Sequence, residues 1–504
     1  MKAFILNFTL IFFALQLYAS GEINVKKYGA KGDGKTDDTK AINAAFSAAS
    51  PLTKTIIYFP AGIYNIASYT TTSNYLENYS LLLHSNLDIK GDGKKSIIRI
   101  ADHIFDKTDI NANAHLFYGT KVQNIGFSLL LIDMNGSNNL VPFKIIKNHA
   151  AIFAAYGSNF YIHDITIKNC PGTNMINIMG KGMGLVIENC KFINGGNYVG
   201  SSIPNKNQYD FSFLYSEWDS TIVRNSIIQQ QDVDIALGNY SGGIELHGSF
   251  SSASGNLIEG CWPAIYVTSS SNDTMKNVTI KNNRLINCVS GVSFWLVQPM
   301  INISIDNNHI QLTYARTAKN NLCAGIIIPN GNAKEYNKTL ANAAPINNLQ
   351  IKGNTFIANS MKTLSAGMVL HSLQQSSIQN NVIAGMNYGG IVLSGSKWGI
   401  RSLLVTNNIF RDFRPNNDKN AVAGYVIITD MYSPGIKDAP GYNGIVFSKN
   451  IFLRTKEAGP GIINAKGKFM GAFIAIPSKM MGSIKFINNQ FSDSSEKIHL
   501  VKTD

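Results

Sequence analysis

The chain has 504 residues, 45% of them hydrophobic and 15% charged, with 43 glycines, a balance that suits a large core with many turns and excludes a disordered chain. Lys and Arg number 44 against 31 Asp and Glu, a formal charge of +13. No dense basic run marks a nucleic-acid patch, so the charge speaks only for anionic polymers or surfaces as partners.

The opening "MKAFILNFTLIFFALQLYAS" has a lysine near its start, an apolar run and then small residues, which is the pattern of a secretory signal. Asn7, Thr9 and Gln16 interrupt the run, leaving it short of the about 18 to 20 apolar residues that a membrane span needs. The expectation is an exported protein, secreted or periplasmic, with residues 1–20 removed near Ala19 or Ser20.

Next comes "INVKKYGAKGDGKTDDTKAINAAFSAA", followed by "TIIYFPAGIYNI". Gly29, Gly32 and Gly34 supply turns, and Thr36 or Asp37 is positioned to cap a helix that begins near Asp38. Pro60 and Gly62 close the turn before the next strand. Asp33, Asp37 and Asp38 read as structural.

An internal repeat follows. Short β-patterned stretches ending in an Asn-containing turn ("ITIKNC", "LVIENC", "TIVRNS", "VTIKNN", "ISIDNN", "LQIKGN" and others) align with a last column of Cys170, Cys190, Ser226, Asn256, Asn283, Asn308, Asn354, Asn381, Asn408, Asn450 and Asn489. Second short strands lie between them, such as "NMINIM", "GIELHG", "AIYVTS", "GVSFWLV" and "GMVLHS". Alternation of period two at a spacing of 20 to 50 residues predicts a β-solenoid, and a coil of about 25 residues predicts an all-β, right-handed parallel β-helix. Asn suits the column because it tolerates left-handed backbone and its amide can bond from coil to coil. The five cysteines lack CxxC spacing and read as small buried residues. No linker or composition shift divides residues 21–504, so one domain is expected, with an N-terminal cap over about 21–50 and coils over about 51–495. Polar stretches between Asn308 and Asn354, and within 430–444 and 456–469, read as loops inserted between strands.

The entry segment and the repeat together resemble the pectate-lyase-like β-helix superfamily, which includes polygalacturonases, rhamnogalacturonases, polysaccharide lyases, alginate epimerases and phage tailspikes. The resemblance implies a reaction on the outer face of one parallel sheet, in a groove that holds an extended polymer. Within "GGIELHG" the alternation buries Ile244 and Leu246 and turns Glu245 and His247 outward together. By the same rule Tyr266, Trp295 and His371 face outward on later coils. Aromatic faces for sugar rings beside ionisable groups are the composition of a sugar-binding groove.

Residues 210–247 hold six of the acids: Asp210, Glu217, Asp219, Asp232, Asp234 and Glu245. Hydrolysis of a glycosidic bond needs one carboxyl as proton donor and another to activate water or attack the sugar. The expected pair is Glu245 with Asp232 or Asp234, Asp210 is a third candidate, and His247 positions or tunes them. Glu217 and Asp219 read as ordinary solvated acids. Polygalacturonases carry NTD, DD, GHG and RIK signatures; here "QQDVDIALGNYSGGIELHGS" echoes only the middle two, with Val233 splitting the acids, and the epimerase DPH motif is absent.

A rival reading is a lyase acting by β-elimination on a uronate polymer, with His247 and Tyr266 as base and acid, Arg224 or Lys206 neutralising the substrate carboxylate, and calcium held by the acid cluster. A third reading is a β-helix that binds glycan without turnover. The acid enrichment favours hydrolysis, by a monomer that needs no cofactor and takes an acidic polysaccharide.

Overall fold

A short strand with one apolar face cannot bury that face alone, and the chain resolves this by laying each strand against its counterpart one turn later. The computed structural model describes residues 21–501 apart from 73–76, 105–112, 140–147, 196–211, 232–240, 270–272, 314–321, 329–343, 359–363, 395, 397, 414–423, 430–440, 455–472, 478–481 and 493–497. The described strands form three sheets of 15 strands each, and successive coils pair in parallel, as in Ile227↔Leu257 and Leu257↔Arg284. From Leu87 onward each coil contributes one strand to each sheet, so the result is a parallel β-helix; at the N-terminal edge of the third sheet Thr70–Thr71 pairs antiparallel with Glu77–Leu82. The expected signal segment, the 1–20 stretch, lies outside the described residues. No described helix is long and apolar enough to cross a membrane.

Inward residues stack in register. Ile162, Ile187, Val223, Ala253, Ile280 and Ile305 follow one another on six successive coils of the first sheet, all at most 1% exposed. Like side chains one strand spacing apart, about 4.8 Å, fill the interior continuously, and each coil thereby buries the face of its neighbour.

The Asn column forms a hydrogen-bonded ladder between the first and second sheets. Asn283 Oδ1 accepts the Asn256 backbone N–H (3.0 Å) and the Asn256 Nδ2 (3.0 Å), while Asn283 donates in the same way to Asn308. The pattern continues through Asn354, Asn381, Asn408 and Asn450 to Asn489, and Ser226 joins at the other end through its N–H to Asn256 Oδ1. Two details correct the expectation. The left-handed residue is the one before the ladder, as at Asn282, Asn307, Asn380 and Asn407 with φ between 54° and 57°, so each Asn-Asn pair divides the two jobs. Cys170 is off the ladder: it follows the Thr166–Lys168 strand of the second sheet, and its N–H bonds to Asn194 O. Cys190 does sit in the column, donating its N–H to Ser226 Oγ. All five cysteines are buried and none is in a disulfide.

At the N-terminus a helix spans Thr39–Ala48 with Asp38, rather than Thr36 or Asp37, at its N-cap position. Asp38 instead accepts the N–H groups of Lys31 and Gly32 (2.6 and 3.0 Å), and Asp37 accepts those of Thr39 and Ala67. Ile42, Ala45 and Phe46 are buried, and Phe46 stacks on Phe117 with centroids 6.4 Å apart. Gly29, Gly32 and Gly34 all have positive φ, as their turns require.

Candidate active site

The third sheet carries the "GGIELHG" strand, Gly242–Leu246. Gly243 is needed in this strand, because a Cβ would lie 2.3 Å from Ala264 O and 2.9 Å from the Ile258 side chain. Strict alternation then resumes: Ile244 and Leu246 are in the core, and Glu245 sits on the outer face in register with Tyr215 on the coil before and Tyr266 on the coil after. Asn177 pairs with Tyr215, and Ser293 with Tyr266, so the column runs Asn177, Tyr215, Glu245, Tyr266, Ser293. Two residues further along, Thr268 pairs with Trp295, and the His247 N–H to Ser216 O bond (2.9 Å) sets His247 beside Glu217.

Hydrogen bonds tie these outward side chains into one network. His247 Nε2 lies 3.0 Å from Glu245 Oε1. Glu245 Oε2 accepts from Ser212 Oγ (2.9 Å), whose oxygen in turn accepts from Asn174 Nδ2 (3.0 Å). Tyr215 donates its hydroxyl to Glu217 Oε1 (2.8 Å), and Glu217 Oε2 accepts the Gly180 N–H. The Tyr215 and His247 rings meet with centroids 4.6 Å apart at a tilt of 48°. A carboxylate only accepts, so the Glu245 contact assigns the imidazole proton to Nε2 and leaves the Nδ1 lone pair unused among the described residues. Both described carboxylates have donors on both oxygens. Glu245 is only 5% exposed, whereas the expectation was an acid open to solvent.

The structure brings together Glu245, His247 and Tyr266 as expected, with Trp295 two coils beyond His247 and partly exposed. Two expected residues lie elsewhere. Arg224 is on the first sheet, where it donates to Glu188 Oε2 (2.7 Å) and holds that carboxyl below its usual range; its neighbourhood in sequence to the acids does not survive the turn between sheets. His371 follows the same alternation but is 1% exposed, with Nδ1 2.9 Å from Ser372 Oγ, so it is packed away from any groove. Asp210, Asp232, Asp234 and Lys206 lie outside the described residues. Glu217, read from sequence as a solvated acid, belongs to the network; Asp219, read in the same way, lies outside it and accepts the Ser249 N–H (2.7 Å). Tyr215, Ser212 and Asn174 were not singled out by sequence. The available signal was the "LYSEW" alternation, which repeats the outward i, i+2 spacing of Glu245 and His247. Among the described residues no three His, Cys, Asp or Glu side chains gather as metal ligands.

Comparison with known proteins adds the relationship. Residues 22–222 match the family described as rhamnogalacturonase A/epimerase, pectate lyase-like. Alginate lyase 7 of Azotobacter vinelandii is 40% identical over 119 residues, 23% of this chain and 13% of that protein. Mannuronan C5-epimerase AlgE2 of the same organism is 36% identical over 118 residues, 23% of this chain and 11% of that protein. The chain thus spans little more than a tenth of the length of these relatives. Among solved structures, a tailspike protein mutant of E. coli bacteriophage HK620 in complex with a pentasaccharide superposes with a TM-score of 0.61 at 14% identity, covering 95% of this chain and 78% of that one. Its likeness is one of fold: the three parallel sheets wound coil upon coil are those of a right-handed parallel β-helix, and the family match over residues 22–222 supports a place in the pectate-lyase-like superfamily.

Proposed function

We propose that the protein is an exported enzyme acting on a uronate-containing polysaccharide, and that it works by removing the proton from the sugar carbon that bears the carboxylate. His247 is the base at Nδ1, Glu245 holds its tautomer and stabilises the imidazolium that forms, and Tyr215 is the proton donor. The observation that carries this reading is the Glu245–His247 pair at 3.0 Å with the Tyr215 ring against the imidazole. A histidine anchored on one nitrogen presents the other in a fixed direction, the arrangement general base catalysis needs.

After proton removal the electron pair delocalises into the substrate carboxyl. It then either expels the 4-linked oxygen, which Tyr215 protonates, or returns to carbon by reprotonation from the opposite face. The first outcome cleaves the chain and leaves an unsaturated sugar; the second inverts the centre. Tyr266, in register with Glu245, and Trp295 supply aromatic surface for neighbouring sugars. Neutralising the substrate carboxylate falls to Lys206, since Arg224 is committed to Glu188. The hydrolysis favoured by acid enrichment asks for a carboxyl free to protonate the leaving oxygen and a second free to engage water. Glu245 and Glu217 are both saturated, which favours histidine and tyrosine chemistry instead. The named activities of the lyase and epimerase relatives are of the same proton-abstracting kind.

The test is incubation with alginate, polygalacturonate and neutral glycans in deuterated water, following near-ultraviolet absorbance, new reducing ends and deuterium at the carbon beside the carboxylate. Deuterium uptake or unsaturated product is expected on a uronate polymer, with His247→Ala lowering the rate about 10²- to 10⁴-fold, the usual worth of a general base. Reducing ends without absorbance or deuterium would establish hydrolysis, and binding without any product would establish a non-catalytic receptor.

A further inference from the structure

Two side chains on the coils just N-terminal to the Tyr215–His247 pair are poor choices for the fold. Tyr156 follows the Ile152–Ala155 strand with φ at 56°, a left-handed conformation that is unfavourable for a bulky residue. The equivalent turn position is Lys121 on the coil before and Gly180 on the coil after, both also left-handed. Asn fills most of the left-handed positions not taken by glycine among the described residues, so such a turn does not call for an aromatic. The Tyr156 side chain is nevertheless 60% exposed. A Cβ on Gly180 would lie 2.5, 2.7 and 2.8 Å from three atoms of the Tyr156 ring, so one ring face lies flat over that glycine and the other looks out to solvent. Gly180 is also the residue whose N–H is donated to Glu217, which ties this ring to the site.

Asn177 is the second. It occupies the outward column directly before Tyr215, is 3% exposed, and its Oδ1 has no hydrogen-bond partner. A buried acceptor left unpaired is costly, and two such local faults on adjacent coils beside an acid–base pair mark a place where something other than folding chose the residues.

We infer that these two coils form a further sugar-binding subsite, in which the free face of Tyr156 stacks on the apolar face of a pyranose and Asn177 Oδ1 accepts a hydroxyl proton from the same oligosaccharide. The inference rests on the proposed reading of the site, and it gives that site a direction: the polymer runs from His247 toward the N-terminal coils. Three residues separate Asn177 from Gly180, about 10 Å along a strand, so more than one sugar unit spans the pair. An acceptor oxygen selects a hydroxyl and not a carboxylate, and Glu217 alongside repels a second negative charge.

The test measures affinity directly, by calorimetric titration of His247→Ala protein with uronate oligosaccharides of increasing length, in the background of Tyr156→Asn, Tyr156→Phe or Asn177→Ala. Tyr156→Asn and Asn177→Ala are expected to weaken binding of long oligosaccharides about 3- to 10-fold each, the usual worth of one aromatic contact or one hydrogen bond. Tyr156→Phe retains affinity. Neither weakening variant should lower the melting temperature, because each removes a feature the fold does not favour. Unchanged affinity for long oligosaccharides in both variants would overturn the subsite, and so would affinity lost together with the fold. Loss of affinity in protein whose wild type shows no deuterium uptake and no unsaturated product would keep the subsite and remove the proton-abstraction reading.

Discussion

The outer face of the third sheet changes character halfway along one unbroken register. Through Asn177, Tyr215, Glu245, Tyr266 and Ser293 it is polar; the same column then continues as Ile327, Val369, Val392 and Ile427. In that second stretch Ala324, Ala366, Val369, Val392 and Ile427 pack with Tyr388 into an apolar cluster separate from the main core. Backbone geometry is the same in both stretches. What differs is only which residue occupies each outward position, so the coil supplies spacing and the side chains alone decide where chemistry can occur.

That contrast is broken most severely by exchanging the two characters. Val392 is 1% exposed within the apolar cluster, and Val392→Asp would place there a carboxylate without a partner, at a cost of about 3 to 5 kcal/mol. Glu245→Leu, in the polar stretch, should cost less, about 1 to 3 kcal/mol, because it places no charge among apolar groups and leaves only the Ser212 hydroxyl and the His247 Nε2–H without their acceptor. Ser212 keeps Asn174 as a donor in that variant. Urea unfolding midpoints at matched slopes measure both. Equal losses in the two variants would mean that the two stretches do not differ in the way their residues suggest.

The interior ladder offers an intermediate perturbation. Asn354 is fully buried; its Oδ1 accepts from Asn308, and its Nδ2 donates to Ile305 O and Asn381 Oδ1. Asn354→Ala orphans these partners and should cost about 2 to 4 kcal/mol, one to three for each buried group left unpaired, partly relieved by relaxation. Ser212→Ala, which removes one bond to Glu245 from the outer network, should cost about 1 kcal/mol. Thermal unfolding of the two variants side by side checks the ranking; if Ser212→Ala proves the more damaging, the ladder is not the principal polar brace.

The ladder and the site also differ in how far the sequence reveals them. The ladder was legible because its contacts repeat: Asn256 to Asn489 recur at coil length, and each partner is the same residue type one period away. The coil assignment of Cys170 failed because "ITIKNC" has the same local pattern as a first-sheet strand, and alternation alone cannot say which of three sheets a strand joins. Glu245 and His247 were legible as an outward pair because period two fixes the face. Their partners were not, because Ser212, Tyr215 and Glu217 become neighbours only through the pairing of the Ser212–Ser216 strand with the Gly242–Leu246 strand, and the length of chain between those strands conceals it. Arg224 failed for the converse reason: it precedes Glu245 closely in sequence, yet it lies on the first sheet and Glu245 on the third. The burial of His371 depends on what surrounds a strand end, which period two does not encode.

The smallest expected effect concerns a carboxylate saturated in the same manner as Glu245 but placed in an exposed turn. Asp33 accepts the N–H groups of Lys35 (2.9 Å) and Thr36 (2.8 Å) and the Thr36 hydroxyl (2.8 Å), and these donors, the Thr36 N–H first, lower its pKa to about 2. An unfolded aspartate titrates near 3.9, so the folded value is the depressed one. The turn's contribution is therefore complete above about pH 4 and is lost as the pH falls toward about 2. Solvent screening keeps the effect local. Hydrogen exchange of the peptide containing residues 30–38 should show the Thr36 amide losing protection across that window in the wild type, with Asp33→Asn already unprotected at pH 5 and insensitive to further acid. Retained pH dependence in Asp33→Asn would assign the transition to Asp37 instead, whose carboxyl is also held below its usual range, against the opposing effect of partial burial, by the Thr39 hydroxyl and N–H.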